Sequence, residues 1–416
     1  MAGDTRAKKT DFSRRVSLFY AALFVIYGMH VPYMPVWLDW RGLSAGQISA
    51  VMAAPFFLRL FVTPLVALLA DRASSHRRWI YALSWIGLAL AVLLSQAQSF
   101  WPILVLAVPL IICTATVMPL TETLAAEGVR TFGVDYGRIR LWGSLTFIGA
   151  SFLGGKVIET AGRGQGVHLI IIGCALTVVA AWFLPPGEAV KSNATGRGSV
   201  WRGEEPRALL KNPAFALFLL ASGLVQASHA TFMTFGTLIW QKQGLSGGWL
   251  GALWAIGVLT EVLLFAYSKT LFKFVGPVQL IAAGAAVAII RWVVSAFDPP
   301  LAVLVPLTAL HGVSYGATHI GAFHFMKCAV PRHASGSAQA LYATVSAGVA
   351  MGAVTLLSGY VYVLYGSSAY LAMAAVAAVA LGAALRLARV WDGRLVLDEW
   401  PDEPAIIPRE PVLEAP

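Results

Sequence analysis

Two glutamates and two arginines sit within long apolar stretches of this sequence: Glu122, Glu261, Arg59 and Arg291. Arg140 stands near the start of another such stretch, and His30, His229, His311, His319 and His324 lie inside them. An ionised side chain in a bilayer costs ~2.5–3.5 kcal/mol or more, so it must be paired, face water or give up its charge. A carboxyl balanced between apolar surroundings, which favour its neutral form, and an arginine, which favours its ionised form, can take and release a proton. Glu261, Arg291 and His311 are the set expected to converge for that purpose. The same set could be a fixed ion pair that only specifies helix packing. Glu122 and Arg140 lie on successive stretches. Arg140 could hold a carboxylate in a two-pronged fork, the pair could bind hydroxyls, or the two could form a latch between helices. Arg59 could partner Glu122 or Asp71, or anchor near an interface. His30, His229 and His324 are expected to satisfy local polar groups. His319, about two helical turns from His311, is a further candidate for contact with a solute.

Such residues need helices to hold them, and the composition says which kind. The chain has 416 residues, 58% hydrophobic and 12% charged, with a mean hydropathy of +0.72. A soluble protein has about 25% charged residues, because its surface must face water. The composition therefore excludes an ordinary soluble enzyme, a nucleic-acid-binding domain and a disordered scaffold, and indicates a multi-pass membrane protein. Apolar runs of about 20 residues, the length that crosses a ~30 Å hydrocarbon core as a helix, predict twelve spans. They fall near 16–38, 46–70, 79–98, 101–125, 138–158 and 167–184, then 212–239, 247–268, 276–297, 300–326, 334–362 and 368–391. The expected organisation is an N-terminal arm (1–15), a six-helix bundle (16–184), a central loop (185–211), a second six-helix bundle (212–391) and a tail (392–416). The first span is too long for a cleaved signal peptide and lacks a small-x-small site after it.

Basic residues orient the spans, since loops on the cytoplasmic side collect Lys and Arg. With the N-terminus inside, only Arg41, Lys156, Arg163 and Lys242 of the 30 basic residues fall outside. Arg59 and Arg291 lie within spans, and the rest fall inside. Both termini and the central loop are thus expected in the cytoplasm. The halves also repeat at an offset of about 202 residues, clearest in Gly42-Leu43-Ser44-Ala45-Gly46 against Gly244-Leu245-Ser246-Gly247-Gly248. A repeat of six spans is the layout of carriers that bind solute between two bundles and rock to alternate access. Glycines on spans 5 and 11 allow close helix approach. There is no phosphate-binding glycine loop, nucleophile elbow or metal-ligand spacing. Cys113, Cys174 and Cys328 have no paired spacing and read as buried thiols. No enzyme activity, metal or cofactor is expected.

Three motifs resemble a known family. Ala67-Leu68-Leu69-Ala70-Asp71-Arg72 followed by Arg77-Arg78 resembles the cytoplasmic signature of the major facilitator superfamily, with Ala67 where glycine is usual. Pro119-Leu120-Thr121-Glu122 with Asp135-Tyr136-Gly137-Arg138-Ile139-Arg140-Leu141-Trp142-Gly143-Ser144 resembles the superfamily's phenylpropionate permease branch, as do Glu261-Val262-Leu263-Leu264-Phe265 and Leu310-His311. The stretches are similar to those of the lactose permease and oligosaccharide:proton symporters. The resemblance implies an all-α membrane protein of twelve helices in two pseudo-symmetric bundles. It implies solute binding by Glu122 and Arg140, proton coupling through Glu261, Arg291 and His311, and a conformational signature at Asp71, Arg72, Arg77 and Arg78. Ser314 stands where those symporters carry a proton-bearing glutamate, which leaves Glu261 as the expected carrier. The expected function is proton symport of a small organic solute, such as an aromatic acid, by a monomer in a bacterial inner membrane. A sugar or nucleoside symporter, an exporter and a membrane sensor are the alternatives.

Overall fold

The computed structural model describes residues 2–73, 75–185 and 204–397, with side chains from residue 7 onward. Most of the central loop and the tail beyond 397 lie outside the described residues. Among the described residues the regular structure is entirely helical. Eleven stretches are long and apolar enough to cross a bilayer. The last, Arg332–Val390, has 59 residues, about 88 Å as one helix, nearly three times the ~30 Å core. A turn at Gly366–Ser368 divides it, which gives twelve spans. We label them α1 (Ala2–Trp40), α2 (Ala45–Arg72), α3 (His76–Gln96), α4 (Phe100–Phe132), α5 (Tyr136–Ala161) and α6 (Gly166–Trp182). The second six are α7 (Pro213–Ala227 and Ala230–Lys242), α8 (Gly247–Ala266), α9 (Pro277–Ser295), α10 (Leu301–Ala309, a π-helical Gly312–Ala317, then Thr318–Ala329), α11 (Ser335–Tyr342, a π-helical Ala343–Ala350, then Met351–Tyr365) and α12 (Ala369–Val390).

The helix of the first span continues back through the arm to Ala2. Two features differ from the sequence reading. The seventh span breaks at Ser228-His229. The tenth and eleventh carry π-helical turns, a form frequent at functional sites. Pro32 and Pro35 in α1 and Pro55 and Pro64 in α2 sit inside helices, as bundled membrane helices permit when neighbours re-satisfy the freed carbonyls.

The repeat is visible in the turns. Gly42 and Gly244 hold φ of +81° and +82° before α2 and α8, a left-handed conformation that favours glycine. In the first half α1 packs on α5 and α6, and α3 on α4 and α6; in the second α12 packs on α7 and α9, and α9 on α10. Across the halves α5 meets α8, α2 meets α11 and α1 meets α7. Much of this crossing contact lies in the half of the molecule away from the described terminal ends. There a Cβ on Gly155 would collide with the Gly247 carbonyl oxygen, and one on Gly251 with that of Ser151. The Gly248 N–H at the start of α8 donates to Glu159 Oε2 of α5 over 3.3 Å. Phe235 of α7 stacks on Tyr362 of α11, ring centroids 4.3 Å apart. At the other half, polar residues well inside helices remain accessible, including Glu122 and Arg140. A cavity between the bundles thus opens toward the terminal side. Phe61, Trp101 and Phe297 are among the exposed apolar side chains, as expected of surfaces that meet lipid.

Candidate functional site

The α4–α5 junction builds the first polar centre. Gly133, at φ +61°, ends α4. The Asp135 carboxylate accepts the Arg138 N–H over 3.1 Å and starts α5. That start puts Tyr136 and Arg140 one turn apart on one face, turned toward Glu122. The Tyr136 hydroxyl donates to Glu122 Oε2. Arg140 Nε lies 4.0 Å from Glu122 Oε1, with side chains 31% and 34% exposed. The Arg140 guanidinium lies over the Phe24 ring at 4.1 Å. This is a loose, water-reached pair, and such pairs contribute about 0–1 kcal/mol to stability. Its parts can separate.

The second centre is different in kind. Arg291 of α9 is 2% exposed. Its Nε donates to the Leu307 carbonyl over 3.1 Å, and its Nη1 to Ser314 Oγ over 2.6 Å. Nη1 also lies 3.3 Å from His229 Nε2 and 3.3 Å from His311 Nδ1. His229 Nδ1 is 3.0 Å from the Val225 carbonyl, which can only accept, so the proton sits on Nδ1 and Nε2 accepts from the arginine. The guanidinium also packs over Trp292 at 4.5 Å. Among the described residues no carboxylate pairs with Arg291. The π-helical turn of α10 carries Ser314 into this cluster, and the break in α7 places His229 there.

Glu261 was expected to meet Arg291 and His311, and it does not. Antiparallel geometry explains the miss. Glu261 lies ten positions before Leu271 in the α8–α9 connection and Arg291 twenty after it, which leaves an axial offset of roughly 15 Å at 1.5 Å per residue. Glu261 instead faces the π-helical turn of α10, where a Cβ on Gly316 would lie 3.4 Å from Glu261 Cγ. Among the described residues Glu261 makes no ion pair, and the charged group that acts on it is Arg140 of the other bundle. Tyr315 is within electrostatic reach of both Glu261 and Arg59, and Tyr27 of both Arg59 and Arg140. Of these five residues, Arg59 lines a pocket between the bundles.

The remaining candidates are dispersed. Arg59 pairs with neither Glu122 nor Asp71; its Nη2 donates across the bundles to the Ala347 carbonyl in the π-helical turn of α11. His319 lies beside Phe265 and Phe323, at 6.1 and 4.9 Å between ring centroids, with no contact to Glu122 or Arg140. His324 packs on Phe272 at 4.2 Å. Asp71 accepts from His76 at 2.9 Å, Arg77 donates to the Trp182 carbonyl over 3.0 Å, and Arg72 and Arg78 are exposed at the mouth. Cys113 and Cys174 are buried, and Cys328 is half-buried. Among the described residues no group of His, Cys, Asp and Glu is arranged for a metal. His229 is the residue that sequence reasoning undervalued. The repeat offset was the available signal, since it sets His229 against Tyr27, which lies within electrostatic reach of Arg59 and Arg140.

Comparison with known proteins agrees with this architecture. The model of the family described as "MFS_1 like family" matches residues 13–372. The chain is 29% identical over 379 residues to the "Probable 3-phenylpropionic acid transporter" of Escherichia coli strain K12, covering 89% of this chain and 96% of that protein. It is 28% identical over 360 residues to the maltose permease of Geobacillus stearothermophilus, covering 85% and 88%. In structure it is similar to a mutant of the nucleoside transporter NupG, with a TM-score of 0.81 at 18% identity over 90% of this chain and 99% of that one.

Proposed function

The chain belongs to the MFS_1 like family and is a multi-pass secondary transporter, not an enzyme, and from that premise we propose proton-coupled import of a small organic acid. The observation that carries the coupling is the placement of Glu261. Among the described residues this carboxyl makes no ion pair, and Arg140 of the opposite bundle lies within electrostatic reach of it. When the cavity is open to the terminal side, Arg140 stands 4.0 Å from Glu122 and can turn to Glu261, which favours the ionised carboxyl and release of its proton on that side. Import then requires Glu261 to take its proton from outside, with Arg140 turned away from it. Arg291, His229 and His311 form a fixed cationic centre in this scheme and carry no transported proton, because Ser314 occupies the position where a carboxyl would serve.

The halves 16–184 and 212–391 act as the rocking bodies, linked by the loop 185–211. The chain works as a monomer, since the solute path runs between two bundles of one chain. A bacterial inner membrane with cytoplasmic termini fits the distribution of basic residues, and the structure is then the inward-open form. An organic acid fits the similarity to the 3-phenylpropionic acid transporter. A sugar or nucleoside is the second reading. The Glu122–Tyr136–Arg140 group favours it, because it offers both donors and an acceptor to hydroxyls.

The test uses proteoliposomes with external pH followed by a dye. Arylpropionates, sugars and nucleosides are added in turn. Alkalinisation outside that follows an arylpropionate and disappears in Glu261→Gln supports the proposal. The same signal with a sugar or nucleoside moves the assignment to the second reading. Solute uptake without proton movement contradicts the coupling.

A further inference from the structure

Midway along the helices, α1, α2, α4, α7 and α11 enclose a pocket of about 120 Å³. Its wall is mainly apolar, with Met52, Phe56, Ile112, Met233 and Met351. Arg59 and His30 supply its two nitrogen groups. His30 Nε2 is shielded from solvent and has no hydrogen-bond partner. Arg59 lies over Phe56 at 4.9 Å and donates to the Ala347 carbonyl. Among the described residues no carboxylate pairs with it. A guanidinium has five N–H donors, so a single carbonyl leaves most of them open.

We propose that this pocket is the substrate site for a monocarboxylate with a single-ring apolar body. The ring lies among the methionines and Phe56, and the carboxylate takes the fork of Arg59, with His30 as a second donor. This rests on the organic-acid reading and names where the acid is held. Size and charge both select the ligand. An enclosed apolar cavity of about 150 Å³ accepts benzene, so this open pocket of about 120 Å³ must widen to take one aromatic ring and is far too small for a disaccharide or a nucleoside. Arg140 is a poorer anion site because Glu122 already stands beside it at 4.0 Å. Arg291 is poorer because it is sealed and engaged with Leu307, Ser314, His229 and His311. The Arg59 pocket also draws its wall from both bundles, so a bound acid can favour one arrangement of them over another.

The experiment is calorimetric titration of the purified full chain with 3-phenylpropionate and with its neutral amide, 3-phenylpropionamide. The wild type is expected to prefer the acid. Arg59→Gln should weaken acid binding by about 10- to 100-fold, the loss expected for a charge-assisted hydrogen bond. It should leave amide binding within about threefold, which also shows that the pocket is intact. Ala115→Leu, which adds bulk at the pocket wall, should weaken both ligands. Unchanged acid affinity in both variants overturns the site and leaves the organic-acid reading standing. Equal loss of acid and amide in Arg59→Gln overturns the carboxylate role, since Arg59 would then only join α2 to α11. A wild type that binds neither ligand overturns the substrate class and the organic-acid reading with it.

Discussion

Arg291 in the second bundle and Arg140 in the first carry the same charge in opposite company. Arg291 is sealed from water, and its hydrogen bonds go to a carbonyl, a serine and two imidazoles. Arg140 is about a third exposed, rests on Phe24 and stands at the limit of an ion pair with Glu122. A buried guanidinium with saturated neighbours is costly to disturb. A wet, long ion pair is easily exchanged. The first is suited to fixing three helices of one bundle, the second to changing partners while two bundles move. The pseudo-symmetric halves thus hold their arginines in different settings, although their backbone turns at Gly42 and Gly244 remain nearly identical.

The largest expected effect comes from removing the fixed centre. Arg291→Ala leaves His229, His311, Ser314 and the Leu307 carbonyl without their donor, and thermal unfolding in detergent should show a loss of about 3 kcal/mol or more. Arg140→Ala should cost under about 1 kcal/mol in the same measurement. Equal losses would erase the contrast. Gly155→Val comes next. Its side chain must displace the Gly247 backbone, which should open the closed end, raise labelling of a cysteine placed at residue 158 and reduce uptake by about tenfold, in line with 1–3 kcal/mol of overpacking. Unchanged labelling would mean that this end is not held by the glycine contact. Tyr136→Phe is the mildest. It deletes one hydrogen bond to Glu122, worth about 1 kcal/mol, and should shift the initial uptake rate about fivefold with a loss of stability of at most about 1 kcal/mol.

Much of the fold could be read from the sequence because its determinants are local. Twelve apolar runs, the Gly42 and Gly244 turns and the polar stretch between the halves all depend on neighbouring residues. Glu122 and Arg140 lie on adjoining helices, twelve residues before and six after Val134 in one short turn, an offset of roughly 9 Å that the long arginine side chain reduces to a loose 4.0 Å pair. The rest depends on helix rotation and depth. The spans are apolar on nearly every side, so no polar stripe fixes which face turns inward. His229 reaches Arg291 only because α7 breaks at Ser228-His229 and α10 adopts a π-helical turn at Ser314. The separation of Glu261 from Arg291 needed only the count of residues across the α8–α9 connection. The partner of Arg59, a backbone carbonyl in the opposite bundle, left no trace in residue type.

The central claim is that coupling resides at Glu261 facing Arg140, not in the Arg291 cluster. The most direct measurement compares exchange with accumulation in Glu261→Gln proteoliposomes. Counterflow of labelled solute needs only the rocking of the loaded carrier, whereas accumulation needs the proton. The predicted result is counterflow close to that of the wild type with accumulation against a gradient abolished. Accumulation that persists in Glu261→Gln at the wild-type level would contradict the claim and return the proton to another group.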